Sequence, residues 1–202
     1  DLPEGMYKAV EVEAPEKYDL SDSTYYFGIG TSREGKEGIK ATWAQGIEGA
    51  NYETINSVAE CSDGGYIVGG YFSSSIDIGN GISLTYKGNG DGMIIKCSEN
   101  GEVEWAKAIG GTESDSVNSV LTCNDGSYLV CGSFCSKSID LGNGIILDGK
   151  NYYSTDNDGM MIKYSINGEV EWAKSLGGGS QERIKSVALT SDGGYIVGGY
   201  FN

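Results

Sequence analysis

Apolar and polar residues alternate along most of this chain in short runs, set off from one another by glycine, asparagine and aspartate. A period of two places successive side chains on opposite faces of an extended backbone, so the pattern predicts β-strands. In the middle of the chain these runs fall at residues 55–61, 66–72, 92–97 and 102–109. Asp63-Gly64 joins the first pair and Asn100-Gly101 the last, and both dipeptides signal two-residue hairpin turns with positive φ.

The pattern then returns. The ten residues 63–72 recur unchanged at 192–201 and in altered form at 125–134, while Trp43, Trp105 and Trp172 each precede an alanine at a roughly 65-residue period. One complete copy occupies about 55–109, a second about 117–176 and a half copy 184–202; a lone fourth-strand equivalent at 38–47 precedes them. Each copy holds four short antiparallel strands whose apolar face needs a neighbour to cover it. Stacked copies of this kind predict an all-β chain forming an incomplete β-propeller, with two full four-stranded blades and parts of two others. Such rings typically need about four to eight blades, so the rest of the ring is expected from further chain or further copies. Gly69-Gly70 and Gly198-Gly199 are expected to let a large side chain of a neighbouring blade, a repeat tryptophan among the candidates, approach the strand.

The copies resemble the bacterial β-propeller repeat family. The likeness rests on Asp91, Lys96, Gly101 and Trp105-Ala106-Lys107 in one copy and on Asp158, Lys163, Gly168 and Trp172-Ala173-Lys174 in the next; Met93 and Met160 replace the family's aromatic. Residues 1–31 are written in another style, with both prolines and neither tryptophan nor cysteine. There Leu2-Pro3-Glu4-Gly5-Met6-Tyr7, the stretch from Val10 to Tyr18, and Tyr25-Tyr26-Phe27 are similar to the C-terminal half of the Cna-B or SpaA prealbumin-like domains of Gram-positive surface proteins. That resemblance implies a β-sandwich fragment at 1–31 before the repeats of 37–202, and an extracellular, wall-associated location. In family members with an internal isopeptide bond, the glutamate matching Glu11 shuttles the proton. Their first strand has no counterpart here, and the expected last strand, near 36–42, holds no Asn or Asp.

Composition narrows the function classes. With 33 glycines against 2 prolines and 39% hydrophobic residues, the chain can build a core with many tight turns. Its net charge of −15 opposes both nucleic-acid phosphates and anionic bilayers. No apolar run approaches the roughly 18 residues of a membrane span. There is no histidine, so serine and cysteine nucleophiles lack their usual base and no carboxylate pair stands out; the expectation is a non-enzymatic protein. Cys61, Cys97, Cys123, Cys131 and Cys135 are odd in number and are expected to be free and mostly buried.

The long connections, 73–90, 135–157, 110–116 and 177–183, are expected on one face of the blades, where binding belongs. That face carries Tyr52, Tyr86, Tyr152 and Tyr153 among Asp, Asn and Gly, and aromatic rings with polar rims suit sugars or peptides. No metal site is assigned; calcium is open only through clustered acids such as Glu113 and Asp115, since Asp156-Asn157-Asp158-Gly159 lacks the later ligands of a calcium loop. The chain therefore reads as a surface or adhesion module with a glycan or protein ligand. A secreted carbohydrate-active enzyme whose catalytic residues lie elsewhere, and a structural spacer, are the alternatives.

Overall fold

A computed structural model describes residues 24–30, 40–150 and 156–201. The described residues form β-strands and no helix. In chain order the strands are β1 (Thr24–Gly30), β2 (Lys40–Gly49), β3 (Glu53–Glu60), β4 (Tyr66–Phe72), β5 (Ile76–Asp77), β6 (Ser83–Leu84), β7 (Asp91–Cys97) and β8 (Val103–Ile109). There follow β9 (Asp115–Thr122), β10 (Tyr128–Phe134), β11 (Ser138–Asp140), β12 (Ile146–Asp148), β13 (Asp158–Tyr164), β14 (Val170–Leu176), β15 (Arg183–Leu189) and β16 (Tyr195–Tyr200). All pairings are antiparallel. β3-β4-β7-β8 make one four-stranded sheet and β9-β10-β13-β14 another, each with an excursion between its second and third strands: β11-β12 forms a two-stranded sheet, while β5-β6 pairs through β5 with β2 in a sheet of order β1-β2-β5-β6. β15 and β16 repeat the first two strands of this plan.

Alternation explains the packing. In β4, Ile67 joins the apolar cluster with Val117, Val120 and Val130 of the following sheet, while Val68 joins the cluster with Ile47, Ile76 and Ile78 on the other side. The central strands β7 and β10 are buried throughout because each sheet is covered on both faces. The excursions, expected to be plain loops, supply part of this cover through buried Ile76, Leu84, Ile139 and Leu147. Side chains of this size contribute about 1.5–3 kcal/mol each on full burial.

β1 pairs with β2 in the register Gly28↔Trp43, with an irregularity that leaves Thr42 unmatched. Lys96↔Trp105 and Lys163↔Trp172 carry the same register, with Glu104 and Glu171 unmatched. Thus β1 and β2 stand as third and fourth strands of a copy, and the pairing runs across the division drawn after residue 31. Residues 1–23, with Glu11, lie outside the described residues, as do 31–39 and 151–155.

Two local expectations are corrected. At the hairpins only Gly64, Gly101, Gly126, Gly168 and Gly193 take positive φ, while the preceding Asp or Asn does not. Gly64 N–H donates to Cys61 O at 3.0 Å and Cys61 N–H to Gly65 O at 2.8 Å, the pattern of a type I turn followed by a left-handed glycine rather than a two-residue loop. The paired glycines, moreover, do not receive a tryptophan. A Cβ on Gly69 would meet Val117 and Val120, and one on Gly70 would meet the carbonyl of Thr54; Gly132 and Gly199 face Ser116 O and Arg183 O in the same way. The first strand of each copy bulges at this level, with Asn56, Asn118 and Lys185 as the extra residues, and the bulge presses its carbonyl onto the glycine.

The bulged asparagines also stitch copy to copy. Asn56 Nδ2 donates to Val117 O and Asn118 Nδ2 to Ile184 O, both at 2.7 Å.

Candidate functional site

Buried carboxylates anchor the long-connection face. Glu53, Asp115 and Glu182 stand at equivalent positions at the heads of the first strands, and all three are buried. Asp115 Oδ1 accepts from the backbone N–H groups of Cys135 and Ser136, each at 3.1 Å, and Oδ2 accepts from Ser136 Oγ at 2.7 Å and Gly111 N–H at 2.8 Å. One side chain so fixes the connection entering β9 to the one leaving β10. Burial raises its pKa, and the bonds it accepts pull the other way. Glu53 accepts from Ser74 Oγ at 3.0 Å and Glu182 from Gly178 N–H at 3.2 Å. At the heads of the third strands Asp91 and Asp158 are fully buried. Asp91 takes the Lys87 N–H at 2.9 Å, and Asp158 takes that of Lys150. Burial pushes Asp91 up to about 6.

Between these anchors lies a cavity of about 420 Å³ lined by Asn89, Glu113, Ser114, Ser116, Ser133, Cys135, Asn157 and Arg183. It draws Ser116 from β9, Ser133 from β10 and Arg183 from β15, and its other residues from the connections between strands. Asn89 Nδ2 donates to Glu113 Oε2 at 3.1 Å, and Cys135 Sγ donates to Asn157 Oδ1 at 3.2 Å. Burial, helped by neighbouring Asp115 and Glu113, raises the Cys135 pKa although Arg183 opposes it, so the sulfur stays a thiol. A thiol held in this form is a poor nucleophile.

The cavity exists because the second copy departs from the others. Tyr71 and Tyr200 stand where the second copy has Ser133. In the first copy the Tyr71 ring reaches across to donate its hydroxyl to Asn89 O at 3.1 Å, with Gly90 beneath it. In the second copy, serine leaves that volume empty and Asn157 replaces the glycine. The other lining positions change from copy to copy as well: Thr54, Ser116 and Arg183 are equivalent, and so are Tyr52, Ser114 and Gln181. Framework positions keep their residues, as Asp91 and Asp158, Lys96 and Lys163, and Gly101 and Gly168 show.

Two of the tyrosines singled out from the sequence, Tyr52 and Tyr86, are described. Tyr52 is 67% exposed and packs at 6.2 Å, centroid to centroid, on Tyr71; Tyr86 is exposed, and neither lines the cavity. Tyr152 and Tyr153 lie outside the described residues. The signal missed was substitution between copies, which marks Ser133 and Arg183 directly. For calcium, the Asp115 oxygens are occupied by protein donors, and no cluster of three or more Cys, Asp or Glu fit to hold a metal occurs among the described residues. All five cysteines are buried, and none is in a disulfide. Cys131 is fully buried, and burial pushes its thiol up to about 12.

No family model matches the chain. It is 27% identical over 180 residues to the regulatory protein FlaEY of Caulobacter vibrioides, an alignment that covers 87% of the chain but only 18% of that protein. Among solved structures, a Bacteroides caccae protein of unknown function aligns with 78% of this chain and 56% of its own, at 15% identity and a TM-score of 0.32.

Proposed function

We propose that the chain is a run of β-propeller blades that acts as a non-enzymatic, extracellular recognition module, displayed at a Gram-positive cell wall and binding a glycan or protein on its long-connection face. The propeller reading is supported by two up-and-down sheets whose first strands, β3 and β9, are stitched side by side through Asn56, and by β15, stitched to β9 in the same way through Asn118. First strands that touch one another across copies belong at the centre of a ring, and fourth strands at its rim. Surface display rests on the resemblance of residues 1–31 to Cna-B or SpaA domains, although β1, within that stretch, carries the register of a third strand.

The observation that carries the binding role is the cavity, whose walls change between copies while a buried carboxylate recurs beneath each of them, at Glu53, Asp115 and Glu182 and at Asp91 and Asp158. Buried acids that hold the connections give the face a rigid base on which side chains are free to specialise. A glycan array and a peptide array probed with the whole chain test this. Specific capture on either supports a recognition module, and silence on both favours the spacer. Turnover of a captured glycan would replace the module with an enzyme.

A further inference from the structure

Arg183 is half-buried at the cavity wall and has no ion-pair partner among the described residues, in a chain with a net charge of −15. Lys96 and Lys163, by contrast, each hold two carboxylates within 4.0 Å. Guanidinium is planar and permanently charged, and its fork of donors matches a carboxylate in two parallel bonds. The remaining walls offer hydroxyls, amides, the Cys135 thiol, which donates to Asn157, and one carboxylate, Glu113, already bridged to Asn89. Such a wall accepts and donates to many hydroxyl groups and suits an apolar ligand poorly. The volume, about 420 Å³, lies within the ~300–1,000 Å³ of small-molecule sites.

From these features we infer that the cavity binds a hexuronate residue of an acidic glycan, its carboxylate on Arg183 and its hydroxyls on Glu113, Asn157 and the serines. The inference rests on the proposed recognition role of this face and names its ligand class. Selectivity against neutral sugars comes from Arg183: a neutral hexose leaves the guanidinium without the charge that its partial burial calls for. Access comes from Ser133, because a tyrosine at this position closes the equivalent space in the first copy.

Titration calorimetry of the full chain with oligogalacturonate and oligoglucuronate, against cello-oligosaccharide and an acidic peptide, tests the assignment. Binding of a hexuronate at least tenfold tighter than the neutral oligosaccharide is expected, weakening as salt rises. Arg183→Gln should lower that affinity at least tenfold. Ser133→Tyr combined with Asn157→Gly, which recreates the Tyr71–Gly90 arrangement of the first copy, should abolish it with a melting temperature close to that of Asn157→Gly alone, which should keep part of the affinity. Equal affinity for neutral and acidic sugars, preference for the acidic peptide, or an Arg183→Gln protein that binds as before would overturn the hexuronate while leaving a binding face. Silence toward every ligand, from a protein that melts normally, would overturn both.

Discussion

The indole of Trp43 occupies the space that a Cβ on Gly101 would need, and its Nε1–H donates to Glu99 O at 3.1 Å. Trp43 belongs to β2 and Gly101 to the turn between β7 and β8, so the contact joins consecutive copies. Trp105 closes on Gly168 in the same manner one copy later. Each tryptophan also meets a tyrosine of the next copy: the Trp43–Tyr66 centroids are 5.7 Å apart and those of Trp105–Tyr128 are 6.0 Å apart. Trp43 and Trp105 are thus couplers, each seated on its neighbour's hairpin.

Gly101→Ala should therefore be worse than the same change at Gly144. Both glycines have positive φ, but a Cβ at Gly144 meets nothing within 4 Å. The left-handed backbone alone costs about 1–2 kcal/mol at either site, and crowding against the indole adds about 1–3 kcal/mol at Gly101. Urea denaturation of the two variants gives the comparison, and equal midpoints would show that Trp43 yields freely.

The interlock of bulge and asparagine leads to a second expectation. Asn118→Ala removes a 2.7 Å bond to Ile184 O on a buried residue, for a loss of about 1 kcal/mol. Asn124→Ala, at an exposed turn, is expected to be silent. If both variants unfold at the wild-type denaturant concentration, the stitch contributes nothing and the first strands are held by their apolar contacts alone.

Strand order and turn positions could be read from the sequence because period-two alternation and Asx-Gly pairs are local signals. Bulges are not: Asn56 and Asn118 look like ordinary strand residues until the register of the partner strand is known. The same holds for the role of Gly70, which depends on where Thr54 O points. At the candidate site the aromatic residues drew attention by type, yet Tyr52 packs on Tyr71, and the cavity opens where an aromatic is missing. Serine in place of tyrosine at Ser133 was visible in the repeat alignment. Its consequence was not, because an opening is a property of what surrounds a side chain.

Lys96 and Lys163 offer a comparison of one triad in two settings. Lys96 is 1% exposed and bonds Asp63 at 2.9 Å and Glu104 at 3.1 Å; Lys163 is 14% exposed and bonds Asp125 at 2.8 Å and Glu171 at 3.3 Å. Burial pulls the Lys96 pKa down, but its hydrogen bonds to the two carboxylates outweigh burial and leave it raised. Because the acids are themselves partly exposed, removing the ammonium does not strand them in an apolar interior. Lys96→Met is expected to cost about 2 kcal/mol and Lys163→Met less, as read from melting temperatures at pH 7. A larger loss at Lys163 would mean that depth of burial is not what sets the strength of the triad.

Asp91 should leave a mark on the pH dependence of stability. Its side chain is fully buried, Oδ2 accepts the Lys87 N–H, and Oδ1, set against Gly110, has no hydrogen-bond partner among the described residues. Burial pushes its pKa up to about 6, so the folded protein binds a proton that the unfolded chain releases near pH 4. The stabilisation from that proton is complete below about pH 4 and is lost as pH rises to about 6, by about 3 kcal/mol in all. Asp115, raised as well, acts with the same sign. Asp63 and Asp125, lowered chiefly by their lysine bonds, act in the opposite sense, mainly below about pH 4. Asp91→Asn keeps an oxygen for the Lys87 N–H and cannot ionise. Its unfolding free energy should therefore fall less steeply than wild type between pH 4.5 and 6.5 and exceed wild type at pH 7.5. Parallel curves for the two proteins, measured by urea unfolding across that range, would mean that Asp91 ionises as readily in the folded chain as in the unfolded one.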